Sequence, residues 1–478
     1  IMAEIKYAGE YIVEECTLCT VGGLELDLLD QLATISIFED IFSNSITGNI
    51  SFVDTNNLTA NASIVGQEKL KLVLVTPNAK DSSERTMAIN FTDSPLHVYK
   101  VSSSVNLNDR TKTFSLSFTT MEMVRNNRIR VSQSFKGEPV KDMIRKVVRS
   151  EEYLNSKKEF YYEETTNNFQ IIAPNNRPFD FINNLSKRCL SKEYNFSPSF
   201  LFYETVKGYY FRTIDSMMDR KNPRMVFREV TPNDDPDNVA LNLTNILNYS
   251  IQNSTDTILQ ARAGMYSSDL LEVDIYNKKY THHEFDYLKE YPNSVHVDEF
   301  NAYGSKKAPP VSEARDDFGN KITEYPKTTL YVQTTERDKV GGLLDPAFDN
   351  DIDYTGTDIW LQKRRSRVVS LETNITLNIK VPGNTTLQAG DLIGIILKNQ
   401  TDADTAQDPY LTGRYLITNL RHEFSRGAGK MMHTLHIDCV RDTVQVPFPS
   451  NGVVALDGGK SIEEIIPRGS ADPGDIVF

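Results

Sequence analysis

Residues 31–76 constrain this chain more than any other stretch. Ile35 and Ile37 share one face of the run Ala33–Ile41, and Ile46, Ile50 and Phe52 share one face of Ser45–Asp54, with Thr47 and Ser51 opposite. A period of two sends alternate side chains to opposite sides of an extended backbone, so each run reads as a half-buried strand. Phe42-Ser43-Asn44-Ser45 supplies the turn between them, and Gly66 precedes a third run, Leu70, Leu72 and Leu74, which Pro77 stops. Such a meander leaves unpaired N–H and C=O groups along its edges and has to close or pair to hide them.

The pattern continues through Ala88–Phe91, Pro95–Val105 and Lys112–Thr120, where Phe114, Leu116 and Phe118 share a face. Residues 1–120 therefore read as one β domain, a small barrel or split barrel. From 121 to 235 the period changes. Val140, Met143, Ile144, Val147 and Val148 recur at three- and four-residue spacing after Pro139, and Phe181, Ile182, Leu185 and Cys189 do so after Pro178, so two helices are expected. Ser199–Asp215 reads as an aromatic hairpin about Val206-Lys207-Gly208, which makes 121–235 an α+β middle domain.

A polar, proline-bracketed linker, Pro232–Asp237, follows. Ile246–Ile251 and Asp256–Gly264 read as strands, and Leu270–Tyr276 alternates less cleanly. Residues 277–359 have the Lys-, Asp-, Pro- and Gly-rich composition of an insertion, and 360–445 return to β structure. There Val368–Val381 reads as a strand with Thr373, Ile375, Leu377, Ile379 and Val381 on one side, and Tyr410–Glu423 pairs with Lys430–Asp442 as a hairpin. The second β unit is thus discontinuous, 236–276 plus 360–445. The tail, 446–478, is expected to order only on a partner. The fold class is mainly β with a smaller α+β part.

Four cysteines in 478 residues argue against a disulfide framework. Cys16 and Cys19 form a lone CxxC with no second pair, which reads as two reduced cysteines on an early strand. Charges at Glu4, Lys6, Glu10, Glu14 and Glu15 leave no apolar core for a signal peptide near the first residue, and no run approaches a membrane helix in length. The net charge of -13 disfavours a sequence-specific nucleic-acid binder and suits a surface past which DNA slides without sticking.

Three segments carry a resemblance to a family. They are IFEDIFSNSITGNISFVD with Gly66-Gln67-Glu68; the Arg177-Pro178-Phe179 passage into a helix; and Gly390-Asp391, Gly413–Ile417, His422 and Arg441-Asp442 near the end. Together they resemble the central baseplate hub protein of contractile-tailed bacteriophages and the hub part of VgrG spike proteins. The resemblance implies two tube-type split β-barrels, an α+β middle domain and a loop-rich insertion, in a homotrimeric ring that adapts a sixfold tail tube to a threefold central spike. Implied partners are further copies of the chain, the tail tube protein, the central spike protein and baseplate wedge proteins, with a tape-measure protein possible and DNA only passing through the lumen. The implied location is the virion tail baseplate, after assembly in the host cytoplasm. Candidate ring or tube contacts are Phe38, Glu39, Asp40, Ile41, Phe42, Tyr415, Ile417 and His422.

Chemistry is expected to be absent. No GxSxG, HExxH, Walker loop or GxGxxG occurs, and paired acids such as Glu39-Asp40 and Glu163-Glu164 are ordinary for so acidic a chain, so no catalytic residue and no cofactor is assigned. His433 and Cys439 face one side of their strand and His436 the other; with His422 across the hairpin that makes two convergent ligands, too few for a metal. Asp349, Asp351 and Asp353 begin like a calcium loop, but Tyr354 stands where Gly is needed and Trp360 where the closing Glu belongs, so a solvated acidic loop is expected. Alternatives to a phage hub are the hub of a non-replicating contractile injection machine and a tail-associated peptidoglycan hydrolase.

Overall fold

The computed structural model describes residues 6–54, 64–80, 86–108, 111–166, 168–220, 222–229, 238–253, 256–275, 278–298, 309–334, 356, 358–398, 408, 411–427 and 430–444. The acidic tract 345–353, the linker 232–237 and the tail 446–478 lie outside them.

The first block contains β1 (Ile12–Cys19), β2 (Leu32–Asp40), β3 (Thr47–Asp54), β4 (Lys69–Lys80), β5 (Leu96–Asn108) and β6 (Thr111–Thr119). They lie in the order β2-β3-β6-β5-β4-β1. The alternation does what it implied: Ile35, Ile37, Ile50, Phe52, Leu70, Leu72, Leu74, Phe114, Leu116 and Phe118 form one apolar core. Cys16 is buried in that core and Cys19 is half-buried, both as free thiols.

In the middle region α1 (Met121–Arg128) leads to β7 (Ser134–Pro139), α2 (Val140–Arg149), β8 (Asn168–Ile172), α3 (Pro178–Ser186) and the hairpin β9 (Phe200–Thr205) with β10 (Gly208–Thr213). All five apolar residues of α2 are buried against α3 and the aromatic hairpin. At roughly 1.5–3 kcal/mol per fully buried side chain, that face is worth on the order of 10 kcal/mol before the entropy of ordering the segment. Pro178 occupies the first turn of α3, where its missing N–H costs nothing.

The later chain departs from the expectations. β11 (Asn248–Asn253) is a strand, but residues 257–262 form a helix, α4 (Thr257–Arg262), because the Asp256 side chain accepts the Leu259 N–H at 2.9 Å and caps it. β12 (Ser267–Asp274) pairs antiparallel with β13 (Lys279–Asp286) and parallel with β14 (Leu330–Thr334), so the boundary placed at 276 parts two paired strands and the insertion carries regular strands. The run expected as a strand from Val368 is helical to Thr373: a π-helical turn, Ile359–Lys363, runs into α5 (Arg364–Thr373), and extended chain starts only at β15 (Ile375–Pro382). Arg364 and Arg367 turn inward on that helix.

β16 (Leu392–Ile396), β17 (Gly413–Gly427) and β18 (Lys430–Arg441) complete the second block around Leu377, Ile379, Ile393, Tyr415, Ile417 and Ile437. Its strands run β17-β18-β15-β11, with β16 beside β17. The chain is mainly β, but two separate closed barrels are not what the described residues form: strands of both blocks lie on one continuous sheet, joined where β17 pairs with β2.

Candidate functional site

β17 is the strand on which the blocks meet. Along one edge it pairs with β18, from Leu416 opposite Val440 to Gly427 opposite Lys430. Its other edge is shared: β16 takes residues 413–416 and β2 takes 419–425, with Asn419 opposite Asp40 and Ser425 opposite Thr34. The changeover coincides with a bulge at Thr418. There the Thr418 carbonyl accepts the Ile41 N–H at 3.1 Å, and Ile417 exchanges backbone bonds with Gly390 and Asp391. A bulge lets one strand leave one partner and take another without losing the ladder on its far side.

The structure brings seven of the eight proposed contact residues to this seam, within one chain. Glu39, Ile41, Tyr415, Ile417 and His422 are at most 1% exposed. Their side chains are buried within the one chain. Tyr415 donates to the Leu411 carbonyl at 2.7 Å, and Ile41 packs with Tyr203, Leu392, Leu416 and Val440. Phe38 is half-buried under the Arg421 guanidinium, Asp40 accepts the Phe42 N–H at 2.7 Å, and Phe42 lies exposed beside the seam.

Glu39 fastens three regions together. One oxygen accepts the Val206 N–H of the middle hairpin and the other the Ala389 N–H of the second block, both at 2.8 Å. Burial pushes its carboxyl up to about 7 against the pull of those two N–H groups and of Lys207. A second joint is Lys158, held between Glu122 at 2.9 Å and Glu204 at 2.5 Å. Glu204 also accepts the Ile46 N–H and the Thr120 hydroxyl, so the middle region grips the first block.

A third joint closes the split second block. Arg441, the final residue of β18, is fully buried and donates to Asp298 at 2.9 Å and to the Thr412 carbonyl; Arg414 donates to the same Asp298. Asp442 accepts from Arg367 and contacts His296 Nδ1, both at 2.7 Å. Burial alone would raise the Asp442 carboxyl, but His296 and Arg367 outweigh it and hold it well below the usual range. Gly413 is required here: its φ is +150°, and a Cβ would come within 2.4 Å of the Arg441 guanidinium.

His422 Nδ1 and His433 Nε2 lie 3.2 Å apart across the hairpin, with the Phe424 ring stacked 4.0 Å from His433. Burial pushes His422 down to about 3, with Lys207 adding to it, and burial together with His422 holds His433 well below its usual range. Both rings are therefore neutral, one N–H donating to the other's lone pair. His436 faces the opposite side and meets Glu423 at 2.7 Å, and Cys439 points into the second core. Among the described residues no three His, Cys, Asp or Glu side chains converge as a metal site would need. No described helix is long and apolar enough to cross a membrane.

The joints were missed in the sequence because their partners lie far apart in the chain. The burial of Glu39 follows from the inward series Ile35, Ile37 that it continues, but its partners do not. A surface feature was also missed. Among the described residues β11 pairs only with β15, and Leu247 just before it and Tyr249 and Ile251 on it are 51%, 36% and 47% exposed.

The chain is similar in fold to phage tail proteins. A tail protein from Neisseria meningitidis aligns at 12% identity and a TM-score of 0.48, over 91% of this chain and 97% of that one. The 43 kDa tail protein of prophage MuSo2 from Shewanella oneidensis aligns at 11% identity and 0.47, over 90% and 98%. An E. coli component of the type VI secretion system, described as structurally similar to the bacteriophage T4 tail proteins gp27 and gp5, aligns at 9% and 0.40, over 90% and 76%. No protein-family model matches the sequence, and no curated protein does.

Proposed function

We propose that this protein is a structural hub of a contractile-tail baseplate, a homotrimeric ring that adapts a sixfold tube to a threefold spike and leaves a channel for DNA. The reading is supported by the three sequence segments that resemble hub proteins and, above all, by β11. Residues 247–254 hold no charged side chain, yet Leu247 at the entry to the strand and Tyr249 and Ile251 on it project into solvent. Proteins blunt free edges with Lys, Pro or bulges; β11 carries one register irregularity, between Ile251 and Asn253, but no Lys or Pro, and an uncharged apolar edge is a site of strand association. Each chain would then extend its sheet into the next around the ring, a heterologous contact that closes on itself.

In this reading the two β blocks are the two split barrels, so three chains present six similar faces to the tube. Tube, spike and wedge proteins are the partners, the virion tail is the location, and the chain performs no catalysis. The test is mass in solution, with and without coexpressed spike. Three chains are expected, and Ile251→Lys, at an exposed position, is expected to return the protein to single chains with its fold intact. Single-particle images without threefold rings would sink the proposal. Peptidoglycan clearing by the purified chain would replace it with the hydrolase reading.

A further inference from the structure

Among the described residues, the small sheet β13-β12-β14 is covered on one face only. The face carrying Ser268, Leu270 and Glu272 lies beneath the helical segment 359–373: Gln362 Nε2 donates to the Ser268 carbonyl at 3.2 Å and the His283 carbonyl at 2.9 Å, and the Arg365 guanidinium sits 5.7 Å from the Tyr331 ring. The register sends Leu271, Val273, Tyr280, Leu330 and Val332 to the other face. There Leu330, Val332 and Tyr280 are 58%, 63% and 71% exposed, and Ile275 beside them is 66% exposed. β12 and β14 run parallel, and parallel pairs are ordinarily covered on both faces.

We propose that this bare face docks an amphipathic α-helix of a partner protein, laid along the strands with its N-terminus at the end marked by Asp269 and Glu284. Size is the first argument. Three strands ~4.8 Å apart and about five residues long present roughly 14 by 17 Å. That is the footprint of one helix of about three turns. It falls far short of the ~800 Å² per partner that a stable pair of whole copies needs.

Charge is the second argument. Asp269 and the exposed Glu284 stand opposite each other at one end, and the exposed Lys278 stands at the other, where the register sends Asp274 and Lys279 to the covered face. The positive N-terminus of a helix belongs at the first end and its negative C-terminus at the second. His282 contacts Asp269 at 3.1 Å from within the face, which leaves Glu284 as the outward charge there. A shallow concavity of about 500 Å³, lined by Leu271, Val273, Ile275, Tyr280 and His282 and reaching Asp274, Lys278 and Lys279 at the far end, accepts a large apolar anchor. The inference is independent of the ring and concerns a different surface from β11.

The test uses the full chain and a labelled synthetic helical peptide of about 14 residues, with leucines at three- and four-residue spacing, lysines in its first turn and glutamates in its last. A control peptide has the lysines and glutamates exchanged. Fluorescence anisotropy is expected to show the first peptide binding at least tenfold more tightly. Val332→Glu, at an exposed site, is expected to abolish binding with the circular dichroism spectrum unchanged, and Glu284→Lys combined with Lys278→Glu to reverse the preference. Equal binding of both peptides, no binding, or binding untouched by Val332→Glu overturns the proposal. So does binding that appears only after residues 446–478 are deleted, which assigns the face to the chain's own tail. Self-association abolished by Val332→Glu also overturns it, by assigning the face to a second copy.

Discussion

The two β blocks bury cores of the same kind and are held together in different ways. The first is built from nearly continuous chain, and its core is sealed by aliphatic and aromatic side chains arriving every second residue. The second is assembled from segments on either side of the insertion, and buried ions fasten its ends: Arg441 to Asp298, and Asp442 to Arg367 and His296. Apolar contacts are non-directional and tolerate small misplacements. A buried carboxylate tolerates only a partnered position, because an unpaired charge costs several kcal/mol. Where the chain leaves and returns, charge pairs specify the register that short connections specify elsewhere.

The largest test of that contrast is Asp442→Ala, which strands Arg367 and His296 without their carboxylate. A loss of about 3–5 kcal/mol is expected in chemical denaturation. Hydrogen exchange should show protection falling in β15, β18 and residues 291–298 and remaining in β1–β6; equal loss across both blocks breaks the contrast. Next is Ile50→Ala in the first core, expected to cost about 3 kcal/mol. Because the two sites share no partner, the double variant should add within about 0.5 kcal/mol.

Acid separates the regions more finely. His422 and His433 have folded values below the ordinary 6.5, so the unfolded chain binds more protons and stability falls as pH drops below about 6.5. The slope is up to ~1.4 kcal/mol per pH unit for each ring. Glu39, raised from 4.5 to about 7, works the other way and offsets one of the two rings between those values. Asp442 adds its loss only below its ordinary 3.8. Denaturation midpoints at pH 7, 5.5 and 4.5 for the native chain and for His422→Gln should differ most in slope; identical slopes would remove the histidine pair from the account. The smallest effect is Asp256→Ala, expected to cost about 1 kcal/mol by uncapping α4, read as a small shift in thermal midpoint.

Legibility followed the range of the interactions. The faces of β2, β3, β6, α2 and α3 and the hairpin β9–β10 could be read because side-chain period is a property of a few neighbouring residues. The helix α4 was misread although its cap was present: Asp256 lies three residues before Leu259, and the apolar run that followed was read as extended. Residues 368–373 depart from the strand reading for a different reason. Val368, Val369, Leu371 and Ile375 fit a strand locally, and the helix is stabilised by distant partners, with Ser366 donating to the Met265 carbonyl and Arg367 to Asp442.

The sequence by itself determined which side chains go inside and where helix gives way to strand across the first block and the middle region. Period and turn chemistry act over a handful of residues and need nothing from elsewhere. Only the tertiary structure decided that residues chosen as contacts between chains form a seam inside one, that Glu39 ties three regions, and that β11 and one face of the small sheet are left bare. Those outcomes depend on which distant backbone N–H or charge arrives opposite a given group, and a linear pattern does not encode that arrival.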